Sequence, residues 1–354
     1  MENLEAYLSR VFEAPVKLIK AERLGGEVGD VKEFGYGAPR LLTFEVKGEV
    51  KRAVLQTMKP DHFGHEHVAD RAHSLIWAYF AYPKLPRHVK ALDVGAFTPR
   101  GIVSLKGCEE FFLLVEAAEG REYWRDLEEI ATRGELTQLD RERCRALSSY
   151  LAEIHSVRRN EPELYIRRIR ELVGHGECIM GIIDNYPPST DFVSREELME
   201  LEKLCVEWRW KLKDKAYRLC QVHGDFHPWN VLFREGVDFT VLDRSRGEWG
   251  EAADDVAAMT INYVFYSLRR YGRLEGAFEE LYKTFLSNYL DLTGDEELLK
   301  VIQPFYAWRA LVIASPIWYP TLHVEVRRKL LNLALNSLRT EVFEPSHING
   351  YMGA

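Results

Sequence analysis

The sequence predicts an α+β protein with two lobes, a small β-rich N-terminal lobe over residues 1–115 and a large, mainly helical lobe over residues 116–354. Two observations support this prediction. Residues 16–58 contain short runs of β-branched and aromatic residues interrupted by glycines, which is typical of strands. From about residue 121 onward, apolar residues recur every three to four positions, which is typical of amphipathic helices. The length of 354 residues is enough for two sizeable cores.

The N-terminal lobe is predicted to contain two groups of strands on either side of one helix. A hairpin turn is expected at Lys47–Glu49, between the second and third strands. The helix is expected over residues 65–81 and ends before Pro83, which cannot continue it. The strands are expected at residues 17–22, 41–46, 51–58, 88–94 and 111–115.

The C-terminal lobe is predicted to be helical apart from one β-hairpin at residues 231–242. Gly134 is a candidate helix C-cap, and Ser194 with Glu197 forms a capping box that opens a helix. The helices are expected at residues 121–133, 140–157, 195–217, 252–270, 274–292 and 324–342.

Charge and cysteine content exclude several classes of protein. The 47 basic and 55 acidic side chains give a formal net charge of −8, and a negative field repels nucleic acids and anionic membranes. The hydrophobic fraction of 46% argues against disorder. The five cysteines form no CxxC pair, the N-terminus lacks a signal-peptide pattern, and no apolar run could span a bilayer. We therefore expect a reduced, cytoplasmic protein without nucleic-acid or membrane partners. The sequence does not indicate its oligomeric state.

Residues 221–255 form the most informative segment. Two short apolar strands flank a turn at Gly236, which predicts an antiparallel hairpin. Asn230 immediately precedes the first strand and Asp243 immediately follows the second, so both lie at the same end of the hairpin. Asp225 lies five residues before Asn230. Carboxylate and amide oxygens of this kind are ligands that Mg²⁺ prefers.

The spacing of three of these residues matches a known catalytic loop. His223, Asp225 and Asn230 reproduce the H-x-D-x-x-x-x-N spacing of protein kinases. With Gly224 and His227 the segment reads HGDFHPWN, which resembles the HGDxHxxN loop of the aminoglycoside phosphotransferase and choline kinase-like family. The resemblance implies a bilobal protein-kinase-like fold. It also implies transfer of the γ-phosphate of ATP to a hydroxyl group of a small molecule.

The same resemblance implies a role for each residue of the loop. Asp225 would orient and deprotonate the acceptor hydroxyl, and His223 would brace the loop. Asn230 and Asp243 would hold Mg²⁺ on the nucleotide phosphates. Asp255 matches a structural aspartate at a helix start, which ties down the catalytic loop in the family.

Other segments resemble the family through less specific patterns. The LAEIH segment that ends at His155 resembles the family's LAxLH helix, and we interpret His155 as a buried, hydrogen-bonded residue. The backbone of Glu116 to Ala118 would face the adenine as a hinge segment. Gly35 and Gly37 are the preferred candidates for covering the phosphates, and residues 25–29 are the alternative. A plain turn without ligand is equally compatible with either glycine segment.

The residues expected to bind the nucleotide phosphates depart from the family pattern. Gln56 stands where the family carries a lysine on the third strand. Lys59 follows at an odd spacing, which would point it to the opposite face of a strand. The candidates for a replacement cation and its acidic partner are Lys59, Arg52, Arg71, Glu66 and Asp70.

The metal motif is altered as well. Asp243 is present, but Arg244 or Ser245 stands where the family motif has a second acidic residue. Arg244 would either supply positive charge to the phosphates or pair with Glu248. These departures leave a nucleotide-binding pseudokinase module as an alternative to an active enzyme.

Two further segments contain residue types that are found in binding sites. His62, His65 and Glu66 could ligate zinc on a helix, but a polar helix start is the favoured interpretation. Trp318 and Tyr319 could stack on a sugar or a cationic amine, but core packing is favoured. The sequence leaves open the acceptor and the choice of ATP, GTP or ADP as donor.

Overall fold

The computed structural model describes residues 2–23, 39–61, 63–84, 89–108, 110, 113–244 and 246–353. The chain divides into two compact units, Met1–Val115 and Glu116–Ala354. The helices are α1 (Glu2–Val11), α2 (Val68–Ala81), α3 (Tyr123–Arg133), α4 (Gln138–His155), α5 (Pro162–Gly174), α6 (Ile179–Asp184), α7 (Arg195–Lys213), α8 (Ala252–Tyr271), α9 (Gly276–Thr293), α10 (Gln303–Ala314), α11 (Val324–Leu338) and α12 (Ile348–Tyr351). The strands are β1 (Val16–Arg23), β2 (Arg40–Val46), β3 (Glu49–Leu55), β4 (Gly95–Thr98), β5 (Gly101–Ser104), β6 (Arg121–Glu122), β7 (Cys220–Gln221), β8 (Val231–Phe233), β9 (Phe239–Val241) and β10 (Trp249–Gly250). The predicted α+β class, with a small β-rich part and a larger, mainly helical part, is confirmed.

The first unit is built on an antiparallel sheet in the order β1-β2-β3. The turn between β2 and β3 is the predicted one, and positive φ angles of 52° at Lys47 and 75° at Gly48 close it. One face of the sheet is apolar, with Leu42 and Phe44 fully buried. Tyr7 from α1 packs in the same cluster, so this helix covers the apolar face.

The second group of predicted strands is wrong. The strands found in this region are β4 and β5, which pair as a hairpin, and residues 89–94 and 113–115 are not in strands. Leu113 and Leu114 are 86% and 87% exposed, so the apolar run that predicted a buried strand is not buried. Positions 88, 111 and 112 lie outside the described residues.

Helix α2 begins at Val68 and not at residue 65. The guanidinium of Arg71 donates hydrogen bonds to the carbonyls of His65 (2.7 Å) and Glu66 (2.9 Å). The carboxylate of Asp70 accepts from the backbone N–H of His67 at 2.8 Å. The Arg71 contacts hold residues 65 and 66 in a loop. The Asp70 carboxylate gives the backbone N–H of His67 an acceptor at the helix start.

The second unit packs its helices around α8, which is buried along most of its length. The predicted helices are present, with ends that differ by a few residues, and α5, α6, α10 and α12 are additional. Cys144, Cys178, Cys205 and Cys220 are buried and free, and Cys108 is free and partly exposed. Within the described part of the chain, no helix has the length and apolar character needed to cross a membrane.

Gly120 lies where the chain enters β6, at a φ of +144° that side chains rarely adopt. A Cβ atom there would lie 2.8 Å from Cβ of Leu232. We expect Gly120→Ala to lower the free energy of unfolding by about 1–3 kcal/mol, because both backbone strain and a steric clash oppose it. Gly236→Ala is the matched control, since Gly236 also has a positive φ but has open space around it. Equal losses in the two variants, measured by chemical denaturation, would contradict the clash.

Candidate active site

The segment that contains His223, Asp225 and Asn230 is held by β-structure at both ends. Before it, β7 pairs with β10 in antiparallel register. The N–H of Val222 then donates to the carbonyl of Glu248 at 2.9 Å. After it, β8 pairs with β9, so the predicted hairpin is confirmed. The loop therefore leaves one small sheet and enters another within about ten residues.

Asp255, in the first turn of α8, holds the backbone of this loop. Its carboxylate accepts hydrogen bonds from the N–H groups of His223 (2.7 Å) and Gly224 (2.8 Å). Nε2 of His155 lies 3.2 Å from the same carboxylate. Burial alone would raise the pKa of Asp255, but the hydrogen bonds and His155 outweigh burial and lower it. The tie between Asp255 and the loop that the family resemblance implied is confirmed.

His155 and His223 are both buried beside this carboxylate. His155 uses its second ring nitrogen, Nδ1, for a 2.8 Å hydrogen bond with the hydroxyl of Tyr289, as expected for a buried, hydrogen-bonded residue. Nδ1 of His223 accepts from the N–H of Asp225 at 3.3 Å, and its ring packs against Phe226. Burial lowers the pKa of His223, which favours the neutral imidazole. This contact supports the prediction that His223 braces the loop.

Asp225 is almost buried, and its carboxylate is surrounded by nitrogen donors. Oδ1 accepts from Nη1 of Arg309 at 2.5 Å. Oδ2 lies 3.5 Å from Nε2 of His227 and 3.9 Å from Nε of Arg246. Burial alone would raise the pKa of Asp225, but Arg309, His227 and Arg246 outweigh it and hold the pKa well below its usual range. The carboxylate is therefore ionised at neutral pH.

Arg309 is the site residue that the sequence analysis missed. It lies in α10 and is only 7% exposed. Besides Asp225, it bonds the carboxylate of Asp254 through Nη2 at 2.7 Å. The signal was present in the FYAWRALVIA run, since a single charged residue in an apolar helix must find a buried partner.

Asn230 and Asp243 meet at the end of the hairpin, as their positions predicted. The carbonyl of Asn230 accepts from the N–H of Leu242 at 2.9 Å, directly before Asp243. The Asn230 side chain donates from Nδ2 to the carbonyl of Asp225 at 3.0 Å, which leaves its Oδ1 as the atom that could bind a cation. Asp243 is exposed and has a φ of +56°, a conformation that aspartate tolerates better than most residues. One amide and one carboxylate oxygen match the ligands that Mg²⁺ takes from proteins.

Arg244 and Arg246 follow Asp243 and have different surroundings. Arg244 donates to the carbonyls of Val222 (2.9 Å) and Glu248 (3.1 Å). Of the two alternatives for Arg244, the pairing with Glu248 is therefore made through the backbone carbonyl of Glu248. Arg246 lies with its guanidinium 4.7 Å from the ring centre of Trp308.

The residues predicted to contact the nucleotide are only partly described. β3 ends at Leu55, so Gln56 and Lys59 follow the strand, and strand alternation does not determine where Lys59 points. Both side chains are exposed, as are Glu116 and Ala118 in an irregular segment. Gly35 and Gly37, like residues 25–29, lie outside the described residues.

The zinc hypothesis gains no support from residues 63–67, which precede α2 and are not helical. Nδ1 of His65 lies 3.0 Å from Asp61, and His62 lies outside the described residues. The described part of the chain contains no group of three histidine, cysteine or acidic side chains arranged to hold a metal ion.

Trp318 and Tyr319 have different environments. Trp318 is 61% exposed, whereas Tyr319 packs edge-on against Phe265 with ring centres 5.2 Å apart. The packing role favoured for both therefore holds for Tyr319 alone. Tyr319 also lines a cavity of about 410 Å³, whose other aromatic walls are Trp124, Trp229, Phe265 and Tyr266.

Comparison with known proteins identifies the relatives of the chain. The family model of the APH phosphotransferase enzyme family matches residues 42–292. Among solved structures, the chain is similar to an amicoumacin kinase in complex with AMP-PNP, Ca²⁺ and Ami, at 13% identity and a TM-score of 0.43, covering 93% of this chain and 91% of that one. It is also similar to a glucosamine kinase, at 16% identity and a TM-score of 0.42, covering 93% and 92%. A third similar structure is the choline kinase LicA from Streptococcus pneumoniae, at 12% identity and a TM-score of 0.35, covering 95% and 98%. No curated protein sequence matches the chain.

Proposed function

The chain belongs to the APH phosphotransferase enzyme family, and from this premise we propose that it transfers the γ-phosphoryl group of ATP to a hydroxyl group of a small molecule. The observation that carries the proposal is that Asn230 bonds the backbone of Asp225 and lies at the same end of the hairpin as Asp243. Asp255 fixes the backbone of that loop. Phosphoryl transfer depends mainly on positioning and charge stabilisation, and these are the properties of a rigid loop with oxygen ligands at its edge.

Asp225 is the proposed catalytic residue. Its ionised carboxylate accepts a hydrogen bond from the acceptor hydroxyl and turns the oxygen lone pair toward the γ-phosphorus. As the new P–O bond forms and the bond to the β-phosphate oxygen breaks, the hydroxyl proton passes to Asp225. Because Arg309, His227 and Arg246 hold the pKa of Asp225 below its usual range, the carboxylate is ionised and able to accept the hydrogen bond of the hydroxyl.

Asn230 and Asp243 are the proposed metal ligands. Oδ1 of Asn230 and the carboxylate of Asp243 would hold Mg²⁺, which would supply positive charge to offset that of the nucleotide phosphates. The neighbouring Arg244 uses its donors on backbone carbonyls, so no described carboxylate neutralises its charge. This supports the proposal that Arg244 supplies positive charge near the nucleotide phosphates, which the uncharged Gln56 cannot do.

A second candidate is a nucleotide-binding pseudokinase module, favoured by the uncharged Gln56 in the lysine position. An assay of ADP formation from ATP and Mg²⁺ against a panel of sugars, amino alcohols and aminoglycosides separates the two. If the chain is a phosphotransferase, we expect ADP formation that depends on one class of acceptor. If the chain is a pseudokinase module, we expect ATP to raise the melting temperature while no compound in the panel accelerates ADP formation.

The metal site yields a separate prediction. We expect Asp243→Asn to lower kcat by about 10²-fold or more and to raise the Mg²⁺ concentration needed for half-maximal rate, because a carboxylate ligand is lost. The matched control is Asp238→Asn, at the opposite end of the same hairpin, where the side chain pairs with Arg234 on the surface. A Mg²⁺ requirement that is unchanged in Asp243→Asn would exclude Asp243 as a ligand.

A further inference from the structure

Arg309 is a buried cation whose placement needs an explanation. It lies in α10 among apolar residues, and its guanidinium lies 3.9 Å from the ring centre of Trp308. A buried guanidinium is stable only when carboxylates and carbonyls accept from it. A core position of this kind is ordinarily filled by an apolar residue, so the buried charge points to a role beyond packing.

The guanidinium donates to three oxygen atoms, two in the loop at residues 224–225 and one in α8. Nη1 donates to Asp225 at 2.5 Å, and Nη2 donates to Asp254 at 2.7 Å. Nη2 also lies 3.3 Å from the carbonyl of Gly224. Because the guanidinium is a rigid planar fork, it fixes the distance and angle between the two carboxylates. Asp254 belongs to α8, so the catalytic side chain is tied to this helix through Arg309.

The first turn of α8 thus restrains the loop in two ways. Asp255 binds the backbone N–H groups of His223 and Gly224. Asp254, through Arg309, restrains the side chain of Asp225. Backbone restraint alone leaves the χ angles of an aspartate free, and a misplacement of about 1 Å is enough to cost 10²-fold in rate.

We propose that Arg309 is a positioning residue, which together with Asp254 holds the Asp225 carboxylate in the orientation that receives the acceptor hydroxyl. The proposal rests on the proposed phosphotransferase function. In this arrangement Oδ1 faces Arg309, and the contacts of Oδ2 with the described residues are the longer ones to His227 (3.5 Å) and Arg246 (3.9 Å). Oδ2 is therefore the oxygen that meets the hydroxyl.

The kinetic test compares Arg309→Met with Arg309→Lys. We expect the methionine variant to lower kcat by about 10²-fold, while KM for ATP changes by less than about threefold, because Arg309 acts on the orientation of Asp225. Lysine should recover part of the rate, since it can bond one carboxylate but cannot hold both at a fixed angle. Arg327→Met is the matched control, because Arg327 is also buried but donates to the carbonyls of Ala314 and Leu322.

Repeating the Arg309→Met change in the Asp225→Asn protein separates positioning from a general structural role. If Arg309 acts through Asp225, its effect on kcat should nearly vanish in that background. An equal fold-loss in both backgrounds would overturn the proposal. Asp254→Asn gives a second route to the same residue, because it weakens the anchor of Arg309 without touching Asp225. An unchanged kcat in this variant would also count against the proposal.

A crystal structure of Arg309→Met gives a readout that does not depend on activity. The proposal predicts that the Asp225 carboxylate turns to a different rotamer while the backbone of residues 223–225 stays in place. An unchanged rotamer would overturn the positioning role, whatever the enzyme assay shows. Failure of the wild-type protein to transfer phosphate would instead reject the proposed function.

Discussion

Asp225→Asn is expected to lower kcat for phosphoryl transfer by about 10²- to 10⁴-fold, because the amide can neither accept the hydroxyl proton nor orient the hydroxyl in the same way. Nucleotide binding should be retained, since the proposed ligands of the metal, Asn230 and Asp243, are unchanged. The measurement is kcat for the acceptor found in the panel, together with the rise in melting temperature on adding ATP and Mg²⁺.

Asp291→Asn is the control for Asp225→Asn, because it makes the same change at an exposed position in α9. The control should retain wild-type kcat. Turnover of Asp225→Asn at the wild-type rate would reject Asp225 as the catalytic residue. Loss of both turnover and the ATP-induced thermal shift would mean that the substitution disrupts the loop.

Asp255→Ala is expected to be the most destabilising single substitution in the site. It leaves the N–H groups of His223 and Gly224 without their acceptor and removes the carboxylate partner of His155, all in a buried environment. Removing one partner from a buried charged network costs about 3–5 kcal/mol in free energy of unfolding. Turnover should fall as well, because the loop loses its backbone restraint.

Chemical denaturation of Asp255→Ala, compared with Asp214→Ala at an exposed position after α7, measures this cost. The control should lose about 0.5 kcal/mol or less. A similar small loss for Asp255→Ala would show that the loop does not depend on α8. It would also weaken the argument that α8 restrains Asp225.

The hairpin and the loop before it could be predicted from sequence because their contacts are local. Asp225, Asn230 and Asp243 lie within one hairpin and the loop before it, so strand pairing alone brings Asn230 and Asp243 together. The family match then confirmed the resemblance that the HGDFHPWN segment suggested, and with it the kinase-like fold.

Arg309 could not be placed from sequence because its contact with Asp225 spans 84 positions. Its position in an apolar helix indicated a buried partner, but not which one. The strand predicted at residues 111–115 was wrong for a related reason, since Leu113 to Val115 are exposed. Composition shows that a segment is apolar, whereas burial depends on what packs against it.

³¹P NMR of the reaction mixture shows whether the chain forms a phosphate ester on a small-molecule hydroxyl. With ATP, Mg²⁺ and the active acceptor class, we predict a new phosphomonoester signal that grows as ATP is converted to ADP. With Asp225→Asn under the same conditions, the signal should grow at least about 10²-fold more slowly. Conversion of ATP to ADP with inorganic phosphate as the only product, or ester formation by Asp225→Asn at the wild-type rate, would rule out this function for the chain and this role for Asp225.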